Sequence, residues 1–117
     1  MSKPINWVGS ALKDLCDFPD DARQVAGQQL RRVQEGENPD HYKPMSDVGG
    51  GVHEIIVNTA DAWFRVMYVA KFEEAVYVLH SFQKKTNRTA QSDLDTAKRR
   101  YKAVIAERKA NEQQKKR

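Results

Sequence analysis

Residues 52–85 read VHEIIVNTADAWFRVMYVAKFEEAVYVLHSFQKK, and this stretch decides the fold. It holds three apolar runs, Val52 to Asn58, Trp63 to Ala70 and Ala75 to Phe82. Each is rich in β-branched, aliphatic and aromatic side chains, the composition of strands that pack on a core. The polar connectors Thr59-Ala60-Asp61 and Lys71-Phe72-Glu73-Glu74 separate them. Connectors this short suit hairpins, whereas a parallel crossover needs about a dozen residues. The expectation is an antiparallel meander.

The third run changes character where it ends. After Val76-Tyr77-Val78-Leu79-His80-Ser81-Phe82 the chain becomes basic and polar, with Lys84, Lys85 and Arg88 close together. A core strand ending in a cationic cluster fixes positive charge at a rigid edge, which suits a phosphate backbone.

Upstream, Ile5 to Val8 has the character of a short opening strand. Ser10 to Asp17 carries Leu12, Leu15 and Cys16 at helical spacing, and that spacing predicts a buried thiol. Pro19, Asp20 and Asp21 make a good helix start, because Pro is tolerated in the first turn and acids complement the dipole. Ala22, Val25, Ala26, Leu30 and Val33 then recur at helical intervals until Gly36 stops the helix. Residues 36–51 read as a loop. Its Gly49-Gly50-Gly51 lacks the Gly-Lys-Ser/Thr of a nucleotide loop and reads as a turn entering a strand.

Downstream, Ser92 and Asp95 have the spacing of a capping box. Leu94, Ala97, Tyr101, Val104 and Ile105 continue a helical stripe to about Ala106. Residues 1–106 are expected to form the folded domain, with 107–117 a polar, basic tail that is frayed or disordered. The fold class is therefore α+β: N-terminal helices on a twisted, three- to four-stranded antiparallel sheet, with a C-terminal helix.

Composition narrows the function classes. One cysteine excludes an internal disulfide framework. No apolar run approaches the roughly 20 residues of a membrane span, and the N-terminus lacks the apolar segment of a signal peptide. No membrane association is expected, and the cytoplasm is the natural location. Residues 1–82 carry 8 Lys/Arg and 12 Asp/Glu, whereas residues 83–117 carry 12 and 4. A C-terminal third with a balance of +8 implies an acidic partner, nucleic acid first, or else a solvated helix and tail.

Most enzyme chemistries lack their residues. His41, His53, His80 and Cys16 have no metal-ligand spacing, so no metal site is expected. Ser81 has no nucleophile-elbow glycines. Cleavage of RNA asks for less, because the ribose 2′-hydroxyl is the nucleophile. The protein need only move protons and stabilise the phosphorane, which Lys, Arg, His and Tyr can do. Such residues sit on the strands and their ends: His53, Arg65, Tyr68, His80, Lys84 and Lys85.

Arg65, between Phe64 and Val66, is costly to bury without a partner. A cross-strand pair with Glu54 and a phosphate-clamping role both account for it, and the two can coexist. Alternation puts His80 with Val78 and Phe82, as a satisfied core histidine or an acid–base group. It puts Lys84 on that same face and Lys85 on the other. Tyr68 and Tyr101 read more readily as core residues than as acids. Lys43 can reach a phosphate from its loop.

The order Gly36…Pro39…Lys43-Pro44-Met45, Gly-Gly-Val-His-Glu-Ile, Phe64-Arg65-Val66-Met67-Tyr68 and Val78-Leu79-His80-Ser81-Phe82-Gln83-Lys84-Lys85-Thr86 carries a family likeness. With the closing Asp95-Thr96-Ala97-Lys98-Arg99-Arg100, it resembles the phage-derived Gp49-like branch of the RelE/HigB toxin family over roughly residues 4–102. The resemblance implies a RelE/ParE-like fold and the toxin half of a type II toxin–antitoxin pair, neutralised by a helix-turn-helix antitoxin. It also implies metal-independent, ribosome-associated mRNA cleavage with no cofactor. By motif position it carries over Arg65, Lys84 and Lys85 as catalytic, then Tyr68 and His80. Lys43, Arg88, Lys98, Arg99 and Arg100 are the expected RNA contacts. Two alternatives stay open: a ParE-like inhibitor of DNA gyrase, and a non-catalytic nucleic-acid-binding phage accessory protein.

Overall fold

A computed structural model describes residues 2–115. In chain order the elements are β1 (Ile5–Trp7), α1 (Ala11–Cys16), α2 (Asp20–Gln34), β2 (Tyr42–Pro44), β3 (Val52–Asn58), β4 (Trp63–Val69), β5 (Val76–Lys84) and α3 (Gln91–Lys115). The three central strands form the expected antiparallel meander. Two short strands extend it to five, in the order β1-β5-β4-β3-β2.

The first, β1, was expected as a strand near Ile5 to Val8, but its orientation and the whole of β2 correct the reading from sequence. β1 pairs with β5 in parallel, so the sheet is mixed rather than wholly antiparallel. α1 and α2 follow β1 and carry the chain across the sheet, which gives that parallel pairing its long crossover. Tyr42–Pro44, expected as loop, pairs antiparallel with His53–Ile55 as an edge strand. Pro44 is tolerable there because an edge strand has one side free of ladder bonds.

The sheet has a core on each face. Leu15, Phe18, Ala22, Ala26, Leu30 and Val33 of the N-terminal helical layer cover Ile55, Val57, Phe64, Val66, Val76 and Val78. On the other face, Leu94, Ala97, Tyr101, Val104 and Ile105 of α3 cover Val52, Met67, Val69, Tyr77 and Leu79. The stripe read from the sequence is the stripe that packs. Two apolar residues of the N-terminal helices stay outside, Val25 at 40% and Leu12 at 42% exposure. Cys16, expected to be buried, is exposed at the end of α1, because Ala11 and Leu15, four apart, form the inward stripe and leave Leu12 and Cys16 together outside it.

α3 departs from expectation at both ends. It begins at Gln91, so Ser92 lies inside the first turn rather than capping it. It runs on to Lys115 instead of stopping near Ala106, and residues 116 and 117 of the expected tail lie outside the described residues. The extension is held by Arg108, whose guanidinium lies 3.8 Å from the Phe72 ring centroid. Arg108 Nε donates to Glu74 Oε2 at 2.6 Å. Among the described residues, no helix is long and apolar enough to cross a membrane.

One irregularity resets the faces of β5. The register runs Met67↔His80 and then Tyr68↔Val78, leaving Leu79 as an extra residue. Such a bulge re-aims the side chains on one side of it. Val78 therefore packs toward α1 and α2, whereas His80 turns to the α3 face, which corrects the simple alternation. Arg100 Nη1 donates to the Leu79 carbonyl at 2.9 Å and anchors the bulge to α3.

Candidate functional site

On the face that α3 packs against, the sheet also carries charged and polar side chains. Strand pairing puts side chains directly opposite one another on a common face. The pairs Lys43↔Glu54, Glu54↔Met67, Ile56↔Arg65, Arg65↔Phe82, Asn58↔Trp63 and Trp63↔Lys84 therefore define one surface drawn from four strands. Three cations and one carboxylate meet on it.

Glu54 is the centre. Its side chain is fully buried, yet neither carboxylate oxygen makes a hydrogen bond. Lys43 Nζ approaches Oε1 to 3.7 Å and Arg65 Nε approaches it to 3.6 Å. Burial raises the Glu54 carboxyl above its ordinary value, while Lys43, Arg65 and Lys84 pull the other way. With three positive groups and one negative, the face keeps a net positive charge.

Arg65 is only 7% exposed. Its Nη1 donates to Asn58 Oδ1 and to the Phe64 carbonyl, both at 2.8 Å. It thus combines the expected pair with Glu54 and a charge set just beneath the surface. Lys84 is half-buried on the adjoining strand. Burial, then the charges of Arg65 and Lys43, lower the Lys84 ammonium from its ordinary value. Lysine shifted this way is a better base near neutrality than a solvated one. Lys43 stands exposed on the edge strand.

The other expected residues fall elsewhere. Lys85 follows the last residue of β5 and is exposed, and Arg88 is exposed on the connector to α3. Tyr68 lies on the opposite face of the sheet from Arg65, 2% exposed, near His53 with ring centroids 5.8 Å apart. Burial first, then the neighbouring Tyr42, raises its hydroxyl well above the ordinary value. The structure therefore does not bring Tyr68 or His53 to Arg65.

His80 is on the cationic side but is engaged: Nε2 lies 2.8 Å from Asp93 Oδ1, and its ring stacks on Phe82 at 4.9 Å. Of the helix cations, Arg99 is exposed and Lys98 half-buried. Arg100 is committed inward, with Nη2 donating to Ser10 Oγ at 3.0 Å. Arg100 is thus a structural tie rather than a free contact.

Glu54 was expected as the cross-strand partner of Arg65, whereas Asn58 and Trp63 are members that the sequence reading did not assign to the site. Their signal was present, since Trp63 shares strand parity with Arg65 and Asn58 with Glu54. It becomes usable only once the register is known. Among the described residues, no three His, Cys, Asp or Glu side chains gather as a metal site would require.

Among curated proteins none matches the chain. The family model described as phage-derived protein Gp49-like (DUF891) matches residues 13–102, about three quarters of the chain. That span contains the cationic face from Lys43 to Lys84. The family is associated with RelE/HigB-like toxins. With its model matching a span of this length, the chain belongs to the phage-derived Gp49-like family.

Proposed function

We propose that the chain is an endoribonuclease that cuts mRNA at the ribosome, and the toxin half of a type II toxin–antitoxin pair held in check by a helix-turn-helix antitoxin. The observation that carries this reading is the convergence of Lys43, Arg65 and Lys84, from three strands, around Glu54 on one sheet face, with Lys43 exposed and Lys84 half-buried.

Each residue has a chemical part. Lys84, with its lowered proton affinity, accepts the 2′-hydroxyl proton or holds the scissile phosphate. Arg65 contributes fixed positive charge from beneath, where the phosphorane's negative charge develops. Lys43 binds a neighbouring phosphate from the edge strand. Glu54 keeps the cations in place without neutralising them all. Lys85, Arg88, Lys98 and Arg99 extend the positive surface along the RNA path. The chemistry needs no cofactor.

The test is induced expression of the unmutated protein, Lys84→Ala and Arg65→Lys, following growth and mapping message ends by primer extension. Circular dichroism verifies that each variant is folded. The expected result is growth arrest with ribosome-dependent cuts from the unmutated protein, and at least a tenfold slower loss of message from Lys84→Ala. Equal toxicity of all three would remove the face from the mechanism. DNA damage without message cuts would favour the gyrase-directed alternative.

A further inference from the structure

We infer that Trp63 is a base-stacking platform, so that this face takes an unpaired, single-stranded stretch of RNA. The inference rests on the nuclease reading above and adds the form of nucleic acid recognised.

Trp63 is 40% exposed although it begins a central strand. The other large exposed hydrophobics, Leu12 and Val25, belong to the N-terminal helices. Trp63 instead stands beside the cations: it pairs with Lys84 across one ladder and with Asn58 across the other. Two residues further along the same strand face is Arg65, to which Asn58 is hydrogen-bonded. Trp63, Lys84, Lys85 and the Ala60–Ala62 turn enclose an open pocket of about 430 Å³. That is within the roughly 300–1,000 Å³ of small-ligand sites, enough for a base.

A large aromatic surface next to phosphate-binding cations is the combination that single strands use. Every base offers a face for stacking, and in a duplex both faces are already taken. A protein partner fits less well. Trp63 is the one large apolar residue of this lining, beside the small Ala60 and Ala62 and the polar Asp61, Gln83, Lys84 and Lys85, whereas protein docking sites centre on a wider apolar patch.

The experiment uses the full chain carrying Trp7→Phe, which leaves Trp63 as the sole tryptophan. It is titrated with a short 2′-O-methyl single-stranded RNA, which resists cleavage. The comparison ligands are an abasic strand of equal charge, the corresponding duplex and polyglutamate. Trp63 emission should be quenched by the base-bearing strand and little by the other three. Read by the anisotropy of a dye-labelled strand, Trp63→Ala should weaken binding about tenfold or more with an unchanged salt slope, and Trp63→Phe should restore most of it.

Lys84→Ala should instead weaken the base-bearing and abasic strands alike. If Trp63→Ala binds normally while Lys84→Ala does not, the stacking inference is overturned and the cationic face stands. If neither variant changes binding, both readings fail. Equal affinity for the duplex, or quenching by polyglutamate, also overturns the inference.

Discussion

Arg65 Nε lies 3.6 Å from Glu54 Oε1 across the β3–β4 ladder, and neither atom makes a hydrogen bond. The two residues are diagonal neighbours, since Glu54 pairs with Met67 and Arg65 with Ile56. A buried ion pair with unsatisfied atoms is poor evidence for stability, because desolvation offsets most of its attraction. Its position beside the exposed Lys43 and the half-buried Lys84 fits a role in shaping charge there.

Glu54 should therefore leave a pH signature. Its carboxyl is raised above the ordinary value of 4.5, chiefly by burial. The folded chain holds that proton more tightly than the unfolded chain does. The associated stability is fully present below 4.5 and is lost as pH rises through the folded value. Glu54→Gln should flatten this part of a urea-midpoint series against pH. It should also tighten RNA binding several-fold at low salt, because the face gains one positive charge.

The pair at the far end of α3 should act in the opposite pH direction. The Arg108 hydrogen bond is the main reason the Glu74 carboxyl is lowered from 4.5 to about 2. Its contribution is present above 4.5 and is lost as pH falls toward about 2. Both side chains are partly exposed, at 35% and 44%, so the pair is worth about 0.2–1 kcal/mol. Arg108→Ala should speed amide exchange in the helix beyond Val104 and leave the central strands unchanged.

Arg100 should behave as a structural residue. It joins the Leu79 bulge carbonyl and Ser10 to α3. Hydrogen bonds from a charged donor are worth about 1.5–3 kcal/mol, so Arg100→Ala should lower the urea midpoint accordingly at unchanged m. Arg99→Ala, on the exposed side, should leave stability unchanged and reduce the salt dependence of RNA binding.

Gly49 and Tyr101 form a tight contact that a double-mutant cycle can read. A Cβ at Gly49 would lie 2.5 Å from the Tyr101 ring, whose hydroxyl donates to the Gly50 carbonyl at 2.9 Å. Gly49→Ala should cost about 1–3 kcal/mol by overpacking. In a Tyr101→Ala background the same change should cost far less.

Much of the architecture was legible because its signals are local. The run Val52–Asn58 emerges as a strand with the expected limits, β4 stops at Val69, one residue short of Ala70, and β5 starts at Val76 rather than Ala75 and extends two residues beyond Phe82 to Lys84. The stripe from Leu94 to Ile105 packs as its helical spacing requires. The site was legible only in part. Arg65, Lys84 and Lys43 do share a face, but Tyr68 points to the other side and Arg100 is used internally.

The sequence by itself determined the three meander strands, β1, α2 and the packing stripe of α3, because periodicity and turn residues act over a few positions. It also carried the family likeness and the cationic end of β5. Only the tertiary structure decided which side chains meet. The parallel β1, the edge strand at Lys43 and the Leu79 bulge depend on pairing between distant segments. The length of α3 depends on Arg108 reaching Phe72 and Glu74. Since a one-residue shift sends a side chain to the opposite face, register gathers Lys43, Glu54, Trp63, Arg65 and Lys84 on one surface, and register is a property of paired strands.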